Sequence, residues 1–428
     1  MSAPVDPDLI PPALHDAGLL EALAAEHGTP LFVYDEEDLR RRCREYAAAF
    51  GEGNVAYAGK AFLCTAMARL VAEEGLHLDV ATGGELSVAL RAGFPAGRIV
   101  FHGNNKSTEE LAQALDGGVG RVVADSFDEL DRLEQLAGDH VEKPTVLVRV
   151  TPGVEAHTHE FIETGTLDSK FGFAVHDGVA LEAARRVIES PVLHFGGLHS
   201  HIGSMIERLD AYARAVAIVV ELCAAIEEST DMPVEELNTG GGLATRYLAT
   251  DPVTSLGEYE ATLRSTLKDC VAGTGLEEMP RLMVEPGRSI SAPAAITLYR
   301  VGTVKTIPDG RTYVAVDGGM SDNPRPVLYG AGYEAYLPAR LGDARSLVCS
   351  IAGKHCEQGD LVVADARLPD GVRVGDLLAV PVTGAYGYSM ASNYNKVPRP
   401  AVVFVRDGRA RVVIRRETAD DLVRLDEV

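Results

Sequence analysis

The chain has 428 residues, of which 46% are hydrophobic and 24% charged, an ordinary balance for a globular protein with room for two or three domains. Its formal net charge of -23 argues against nucleic acid or an anionic membrane surface as a partner. No apolar run reaches transmembrane length, and the N-terminus lacks the basic and apolar regions of a signal peptide, so we expect a cytoplasmic protein.

The first part of the chain alternates between apolar runs and amphipathic, helix-like stretches. A short helical pattern precedes a predicted strand at Leu31–Tyr34. From Asn54 onward the apolar runs are continuous, which is typical of parallel strands buried on both faces. Eight such strands, with helix-like segments between most neighbours, indicate a (β/α)₈ TIM-type barrel. The predicted barrel strands are Asn54–Ala58, His77–Ala81, Arg98–His102, Arg121–Ala124, Thr145–Val150, His194–His201, Glu236–Thr239 and Arg281–Glu285.

After about residue 291 the pattern changes to short β-rich runs separated by turn residues such as Pro369-Asp370-Gly371. This change predicts a C-terminal all-β domain, a β-sandwich or Greek-key barrel, which the strand Leu31–Tyr34 joins. The predicted domains are an N-terminal segment over 1–38, an α/β barrel over 39–290 and the β domain over 291–428. The predicted β runs are Ala295–Thr303, Tyr313–Val316, Ser346–Ile351, Leu377–Val382, Ala401–Val405 and Arg411–Ile414.

Polar residues and glycines fall where the predicted barrel strands end, which is where barrel enzymes place their chemistry. Each group alone has a structural explanation: a glycine run can form a tight turn, and buried histidines can be satisfied core residues. Their common position favours a functional site. The strand-end groups are Lys60, Asp79 with Glu85, His102–Asn105, Arg149, His199–Ser204, Gly240–Gly242 and Glu285–Arg288.

The residue types at these ends match one cofactor. Lys60 follows a buried strand, where a charged amine is costly to desolvate, so we expect a neutral amine that can form a Schiff base with an aldehyde. The run Gly240–Gly242, with Ser204 and Arg288, suits a phosphate. Glu285 could keep a pyridine nitrogen protonated. An aldehyde, a phosphate and a pyridine together indicate pyridoxal 5′-phosphate.

Several motifs, distributed along nearly the whole chain, match those of one protein family. Through these motifs the sequence resembles the fold-type-III pyridoxal-phosphate decarboxylases. Glu285–Arg288 and the lysine strand mark the superfamily, whereas Asn323–Pro326 and Cys356–Asp360 resemble the branch that acts on diaminopimelate. The motifs are Ala56–Ala61, His102–Ser107, His157–Glu160, Lys170–Phe173, His199–Ser204, Glu285–Arg288, Met320–Pro326, Cys356–Asp360 and Gly384–Tyr386.

The resemblance implies a role for each matching residue. Lys60 would form the Schiff base, His201 would stack on the cofactor ring, and Cys356 would donate a proton; these three are the catalytic candidates. The residues implied to bind the cofactor are Lys60, Asp79, Glu85, His201, Ser204, Gly241, Gly242, Glu285, Pro286, Gly287, Arg288 and Tyr386. Those implied to bind a small amino-acid substrate are Arg288, Arg325, Tyr329, Glu357 and Tyr386.

The activity implied is the decarboxylation of meso-2,6-diaminopimelate to L-lysine and CO₂, the last step of lysine biosynthesis. A relative acting on ornithine, arginine or carrier-bound glutamate stays open, although Glu357 and Arg325 match the ammonium and carboxylate at the distal end of diaminopimelate. An alanine-racemase-like isomerase places an arginine at the pyridine nitrogen, which Glu285 argues against. A non-catalytic regulatory paralogue is opposed by the full set of residues from Lys60 to Cys356.

The cysteines and the loop around Cys356 bear on compartment and assembly. The six cysteines lack metal-site spacing, which predicts free thiols and no metal site. In the family that the sequence resembles, the loop corresponding to the one with Cys356 reaches the partner subunit. The resemblance therefore implies a homodimer in which each active site is shared between two chains.

Overall fold

The computed structural model describes residues 4–138, 140–154, 169–308 and 310–427. They form two compact units. The first, which we call the barrel unit, is drawn from Arg42–Ala244 and Thr254–Gly287. The second, the β unit, is drawn from Met1–Arg41, Thr245–Val253 and Arg288–Val428. The sequence motif His157–Glu160 lies outside the described residues, and the predicted domain boundaries after residues 38 and 290 stay a prediction.

Strands and helices alternate through the barrel unit, and strands dominate the C-terminal part of the chain. The strands of the described residues are β1 (Leu31–Asp35), β2 (Ala56–Ala58), β3 (His77–Val80), β4 (Ile99–Phe101), β5 (Arg121–Ala124), β6 (Thr145–Thr151), β7 (Phe173–Ala174), β8 (His194–His199), β9 (Glu236–Asn238), β10 (Arg281–Met283), β11 (Ala295–Thr306), β12 (Thr312–Val316), β13 (Leu347–Ala352), β14 (Leu361–Leu368), β15 (Leu377–Pro381), β16 (Ala401–Arg406) and β17 (Arg409–Ile414).

Several helices begin at a side-chain cap; α5, for example, begins with a reciprocal capping box between Ser107 and Glu110. Within the described residues, no helix has both the length and the apolar character needed to cross a membrane. The α-helices there are α1 (Ala17–His27), α2 (Glu36–Phe50), α3 (Thr65–Glu73), α4 (Gly83–Arg91), α5 (Thr108–Asp116), α6 (Phe127–Ala137), α7 (Val179–Glu189), α8 (Leu209–Thr230), α9 (Leu256–Thr274), α10 (Arg288–Ser291), α11 (Arg325–Tyr329) and α12 (Ala419–Val423).

The barrel unit contains a nine-stranded parallel sheet. Eight strands follow the order β10-β9-β8-β6-β5-β4-β3-β2, and the two-residue strand β7 pairs with β6 beside them. The sheet closes on itself through a parallel bridge between Val55 and Val284 and through the Ala58 N–H, which donates to the carbonyl oxygen of Pro286 at 3.0 Å. All eight strands correspond to predicted ones, and the predicted barrel is confirmed. Its interior is filled with small and branched side chains, as in other barrels of this type. A buried cluster there consists of Ala56, Val100, Val123, Leu147 and Met283.

The β unit contains a mainly antiparallel eight-stranded sheet in the order β14-β13-β12-β11-β1-β16-β17, with β15 paired to β11. The N-terminal strand β1 lies inside this sheet, antiparallel to β11 and parallel to β16. Both the β domain and its use of the N-terminal strand were predicted, and the fold class is confirmed. The N-terminal residues Leu14 and Leu20 share a core cluster with Val33 of β1 and Val403 of β16, each fully buried side chain of this kind contributing roughly 1.5–3 kcal/mol.

Strand β14 was not predicted from the sequence. Residues 361–368 do not alternate regularly between buried and exposed positions. The pairing of β14 with β13 shifts register between Cys349 and Ile351 and again between Ile351 and Ala352. Such shifts break the period of two on which strand prediction depends.

Candidate active site

Lys60 lies at the carboxyl end of β2, in a single 3₁₀ turn formed by Gly59–Ala61. The Tyr57 hydroxyl holds this turn by donating a hydrogen bond to the carbonyl oxygen of Phe62 at 2.9 Å. A Cβ atom at Gly59 would lie 2.8 Å from the carbonyl oxygen of Asp79, so a larger residue would clash. Lys60 is exposed. The expectation of a desolvated amine was therefore wrong, because the turn carries the side chain out of the buried strand.

Two carboxyl groups, Asp79 of β3 and Glu85 of α4, act electrostatically on Lys60. Burial raises the pKa of Asp79 to about 6, and the nearby carboxylates of Glu285 and Glu85 add to that rise. Burial also raises the pKa of Glu85, although its Oε2 accepts a hydrogen bond from the Ala81 N–H at 2.7 Å. The structure thus brings these predicted residues together, and their roles toward a cofactor stay predictions.

Glu285 follows β10, is buried, and accepts three hydrogen bonds from the ends of three other strands. Its Oε1 accepts from His102 Nε2 and from Asn238 Nδ2, each at 2.8 Å. Its Oε2 accepts from His199 Nε2 at 3.0 Å. The two imidazole rings contact each other edge to face, with their centroids 4.6 Å apart. The carboxylate is therefore fixed in position by residues at the carboxyl ends of β4, β8 and β9.

The protonation of this network follows from its contacts. Burial alone would raise the pKa of Glu285, but His102 and His199 lower it well below the usual range by charge and by hydrogen bonding. Burial lowers the pKa of His199 to about 4. Near neutral pH, Glu285 is therefore a carboxylate and His199 a neutral donor. A fixed, buried negative charge is the group that would keep a ring nitrogen protonated.

The sequence marked His102 and His199 as strand-end residues but did not connect them with Glu285. It missed Asn238, which holds the same carboxylate. An asparagine at the end of a buried strand, two residues before a glycine run, was the available signal, since a buried amide must find hydrogen-bond partners.

The run Gly240–Gly242 follows β9 and is packed closely against neighbouring backbone. A Cβ atom on Gly241 would lie 2.2 Å from the carbonyl oxygen of Glu285, and one on Gly242 would lie 2.3 Å from that of Gly203. Gly242 has a φ of 109°, which L side chains rarely adopt. The Tyr212 hydroxyl donates to the Gly241 carbonyl oxygen at 3.1 Å. Because these three glycines have no side chains, an anion could approach the backbone N–H groups of the loop closely.

His201 and Ser204 follow β8, and both are half-buried. Burial lowers the pKa of His201 well below its usual range, and the charges of Lys60 and Arg149 lower it further. The ring is therefore a neutral imidazole, suited to stacking on another ring. Together, a lysine amine, an ionised buried glutamate, a neutral imidazole and a bare glycine loop fit pyridoxal 5′-phosphate.

Arg149, near the end of β6, is buried in an ion pair with Asp125, and the two charged groups lie 3.4 Å apart. Its guanidinium carbon lies 4.3 Å from the ring centroid of Phe171. The N–H of Gly172 donates to Asp125 Oδ1 at 2.6 Å. The motif Lys170–Phe173 thus covers Arg149, a contact that the sequence did not predict.

In the β unit, two buried arginines lie among tyrosines. Arg288 Nη1 donates to the Tyr247 hydroxyl at 3.0 Å, and the Arg288 guanidinium carbon lies 4.6 Å from the Tyr386 ring centroid. Arg325 lies 4.4 Å from the Tyr247 ring centroid and donates to the Tyr333 hydroxyl. The sequence predicted both arginines and Tyr386 but missed Tyr247 and Tyr333, because neither lies in a motif or at a strand end.

Cys356 and Glu357 are exposed in the loop between β13 and β14. The Cys356 N–H donates to Asn395 Oδ1 at 3.1 Å, and the N–H of the preceding His355 donates to Asp360 Oδ2 at 2.8 Å. These bonds hold the loop from both sides while its thiol and carboxylate stay accessible. A polar loop with an accessible thiol is compatible with the predicted proton donor.

The remaining predicted residues are placed individually. Pro286 and Gly287 are buried directly after Glu285, and a Cβ atom on Gly287 would lie 2.9 Å from the Cβ of Ala58. Tyr329 ends α11 and is half-buried. Their assignment to cofactor or substrate stays a prediction.

Comparison with known proteins gives a consistent result. A family model described as pyridoxal-dependent decarboxylase, pyridoxal binding domain, matches residues 36–292. The chain is 51% identical to the diaminopimelate decarboxylase of Mycobacterium tuberculosis, over 95% of this chain and 93% of the relative. It is 48% identical to that of Bacillus subtilis, over 94% of this chain and 92% of the relative.

Solved structures agree with the sequence relatives. Diaminopimelate decarboxylase from M. jannaschii, in co-complex with L-lysine, matches with a TM-score of 0.88 at 33% identity, covering 95% of this chain and 94% of that one. The enzyme from Helicobacter pylori, complexed with L-lysine, matches with a TM-score of 0.86 at 31% identity, covering 95% of this chain and 99% of that one. The similarity therefore extends over both units of the chain.

Proposed function

The chain belongs to the pyridoxal-dependent decarboxylase family, and we propose that it converts meso-2,6-diaminopimelate to L-lysine and CO₂ with pyridoxal 5′-phosphate as its cofactor. The curated relatives named above carry this activity in their names, and two similar structures hold L-lysine, the product of this reaction. The proposed role is the last step of lysine biosynthesis.

The observation that carries the substrate assignment is the environment of Arg325. Its side chain is buried, with 5% of the residue exposed. Its guanidinium contacts the rings of Tyr247 and Tyr333 and donates to the Tyr333 hydroxyl, and no carboxylate of the described residues lies within ion-pair distance. A buried charge without a counter-ion is unfavourable, so the position favours an anionic ligand. Diaminopimelate has a distal carboxylate and ornithine has none.

Four side chains are proposed to take part in the reaction. When bound, pyridoxal 5′-phosphate supplies an aldehyde that bonds to amines and a protonated ring that accepts the electron pair left as CO₂ departs. Lys60 supplies the amine that holds the cofactor and gives way to the substrate amine. Glu285 keeps the ring nitrogen protonated through its charge, and His201 packs on the ring. Cys356 donates a proton to the α-carbon.

Five residues are proposed to contact the substrate. Arg325 binds the distal carboxylate through two hydrogen bonds in one plane, and Glu357 pairs with the distal ammonium. The others are Arg288, Tyr329 and Tyr386. We propose the same cofactor-binding residues that the sequence predicted.

A substrate panel tests the proposal. The holoenzyme is incubated separately with meso-diaminopimelate, ornithine, arginine and L-lysine, and CO₂ release and product identity are followed. We expect turnover with diaminopimelate and L-lysine as the product. Faster turnover of ornithine or arginine would favour a different member of the family, and CO₂ release from none of them would favour a non-catalytic paralogue.

Arg325→Ala is expected to raise KM for diaminopimelate by about 100-fold, because a charge-assisted bidentate contact is lost. Binding of pyridoxal 5′-phosphate, followed by its visible absorption, should change far less. Arg325→Lys is the matched variant, because it keeps the charge but not the planar pair of donors. Its KM for diaminopimelate should fall between those of wild type and Arg325→Ala. If wild type decarboxylates lysine or ornithine better than diaminopimelate, the distal-carboxylate argument is wrong.

We further propose a head-to-tail homodimer in which the Cys356 loop completes the partner's site, so that no monomer is active. The exposed thiol and carboxylate of Cys356 and Glu357 support this assembly. The proposed compartment is the cytoplasm, as predicted from the sequence.

Subunit mixing tests the shared site. Lys60→Ala and Cys356→Ala homodimers should each be severely impaired. After subunit exchange, about half the dimers are mixed and each has one intact site, so roughly a quarter of wild-type activity should return. Lys60→Ala mixed with the double variant Lys60→Ala/Cys356→Ala is the control and should stay inactive. If exchange is verified and activity does not return, both residues serve one site from a single chain.

A further inference from the structure

Tyr247 contacts two buried arginines of the β unit, Arg288 and Arg325, each with a different part of its side chain. Its hydroxyl accepts a hydrogen bond from Arg288 Nη1 at 3.0 Å. Its ring centroid lies 4.4 Å from the guanidinium carbon of Arg325. Tyr247 is itself buried, with 4% of the residue exposed. One side chain therefore restrains both arginines.

Arg325 has a second tyrosine beside it. Tyr333 accepts a hydrogen bond from Arg325 Nη1, and its ring centroid lies 5.5 Å from the guanidinium carbon. The rings of Tyr247 and Tyr333 meet edge to face, with centroids 5.3 Å apart and planes at 83°. The guanidinium is thus held against one ring face and tied at one nitrogen, which fixes the plane of its remaining donors.

This arrangement has an electrostatic consequence. Burial opposes ionisation of Tyr247, but the charges of Arg288 and Arg325 lower its pKa. A desolvated guanidinium over an aromatic face is stabilised by roughly 2 kcal/mol, about a 30-fold effect on an equilibrium. Removing the ring would free the guanidinium to rotate, and a planar fork that rotates loses its geometric match to a carboxylate.

We propose that Tyr247 is a specificity-determining residue: its ring orients Arg325 toward the carboxylate at the distal end of the substrate, while its hydroxyl positions Arg288. The inference rests on the proposed function and deepens it. Tyr247 is a positioning residue, because it acts through the two arginines. Its two contacts are separable, since the hydroxyl can be removed without the ring.

The test compares two ligands that differ by one carboxylate, L-lysine and 1,5-diaminopentane. Their dissociation constants are measured by calorimetry on wild-type holoenzyme and on the Tyr247→Leu and Tyr247→Phe variants. Wild type should favour L-lysine by about 100-fold. Tyr247→Leu should reduce that ratio about tenfold, through weaker L-lysine binding alone. Tyr247→Phe should keep the ratio within about twofold, because the ring remains, and should weaken binding of pyridoxal 5′-phosphate to apoenzyme about fivefold.

The outcomes separate this inference from the proposed function. If wild type releases CO₂ from diaminopimelate and favours L-lysine, but Tyr247→Leu keeps the ratio, the inference is overturned and the proposed function stands. Equal losses of the ratio in both variants would also overturn it, because the hydroxyl would then be the determinant. A wild type without decarboxylation or without preference for L-lysine contradicts the proposed function itself. Should the Leu variant not fold, as judged by its melting temperature, Tyr247→Met also removes the ring and carries the same expectation.

Discussion

Lys60→Ala is expected to abolish turnover, by about 10⁴-fold or more, and to remove the covalent attachment of pyridoxal 5′-phosphate. Lys60 lies in the turn that follows β2, close enough to Asp79 and Glu85 to interact electrostatically, and its exposed side chain is accessible to a ligand. An alanine offers no amine to bond to the aldehyde or to be exchanged for the substrate. The loss should therefore appear in kcat and in the cofactor content together.

Lys106 is the rival nucleophile in the same barrel. Burial lowers its pKa, which favours a neutral amine. Its Nζ, however, donates to the carbonyl oxygens of Gly103 at 2.6 Å and Val123 at 2.8 Å, and lies 2.8 Å from Glu129 Oε1. Two carbonyl oxygens already accept hydrogen bonds from this buried amine and Glu129 lies beside it, so we expect no reaction there.

Borohydride reduction of the holoenzyme followed by peptide mapping distinguishes the two lysines. The reduced cofactor should be found on the peptide that contains Lys60. Label on Lys106, or on any other lysine, would refute the assignment. Lys268→Ala changes an exposed lysine of α9 and serves as the control that should retain activity and label.

Glu285→Gln is expected to keep the cofactor but to lose most of the activity, on the order of 3 kcal/mol or about 150-fold in kcat. A neutral amide cannot hold a proton on the ring nitrogen by charge. The surrounding network increases the cost, because both Glu285 oxygens accept hydrogen bonds from His102, His199 and Asn238. A glutamine must turn its NH₂ group toward at least one of these donors.

The matched control is Glu236→Gln. Glu236 is also buried, but it begins β9, at the opposite end of the strand from Asn238, and is paired with Arg121 and Arg281. Its substitution tests whether losing any buried carboxylate of the barrel lowers activity through stability. Cofactor absorption, kcat and melting temperature are measured on both variants. Near wild-type kcat in Glu285→Gln would mean that Glu285 does not serve the ring nitrogen.

Local sequence patterns were sufficient to predict the barrel and the region of the site. Buried parallel strands read as continuous apolar runs whatever their neighbours are, so all eight barrel strands could be predicted from local pattern. Barrel enzymes place their catalytic residues at the carboxyl ends of the strands, so the positions of Lys60, Glu285 and Gly240–Gly242 were sufficient to predict them as site residues. The recognisable motifs added Arg325 and Cys356 as candidates.

Which side chains contact one another depends on the folded arrangement of the chain. His102, His199 and Asn238 meet at Glu285 because the closing barrel brings the ends of β4, β8 and β9 together, and no local pattern encodes those distances. Tyr247 is a comparable case, since its partner Arg325 lies far along the chain. Hydrogen bonds and ring contacts act over a few ångströms between residues that are remote in sequence, so they exist only once the backbone has folded.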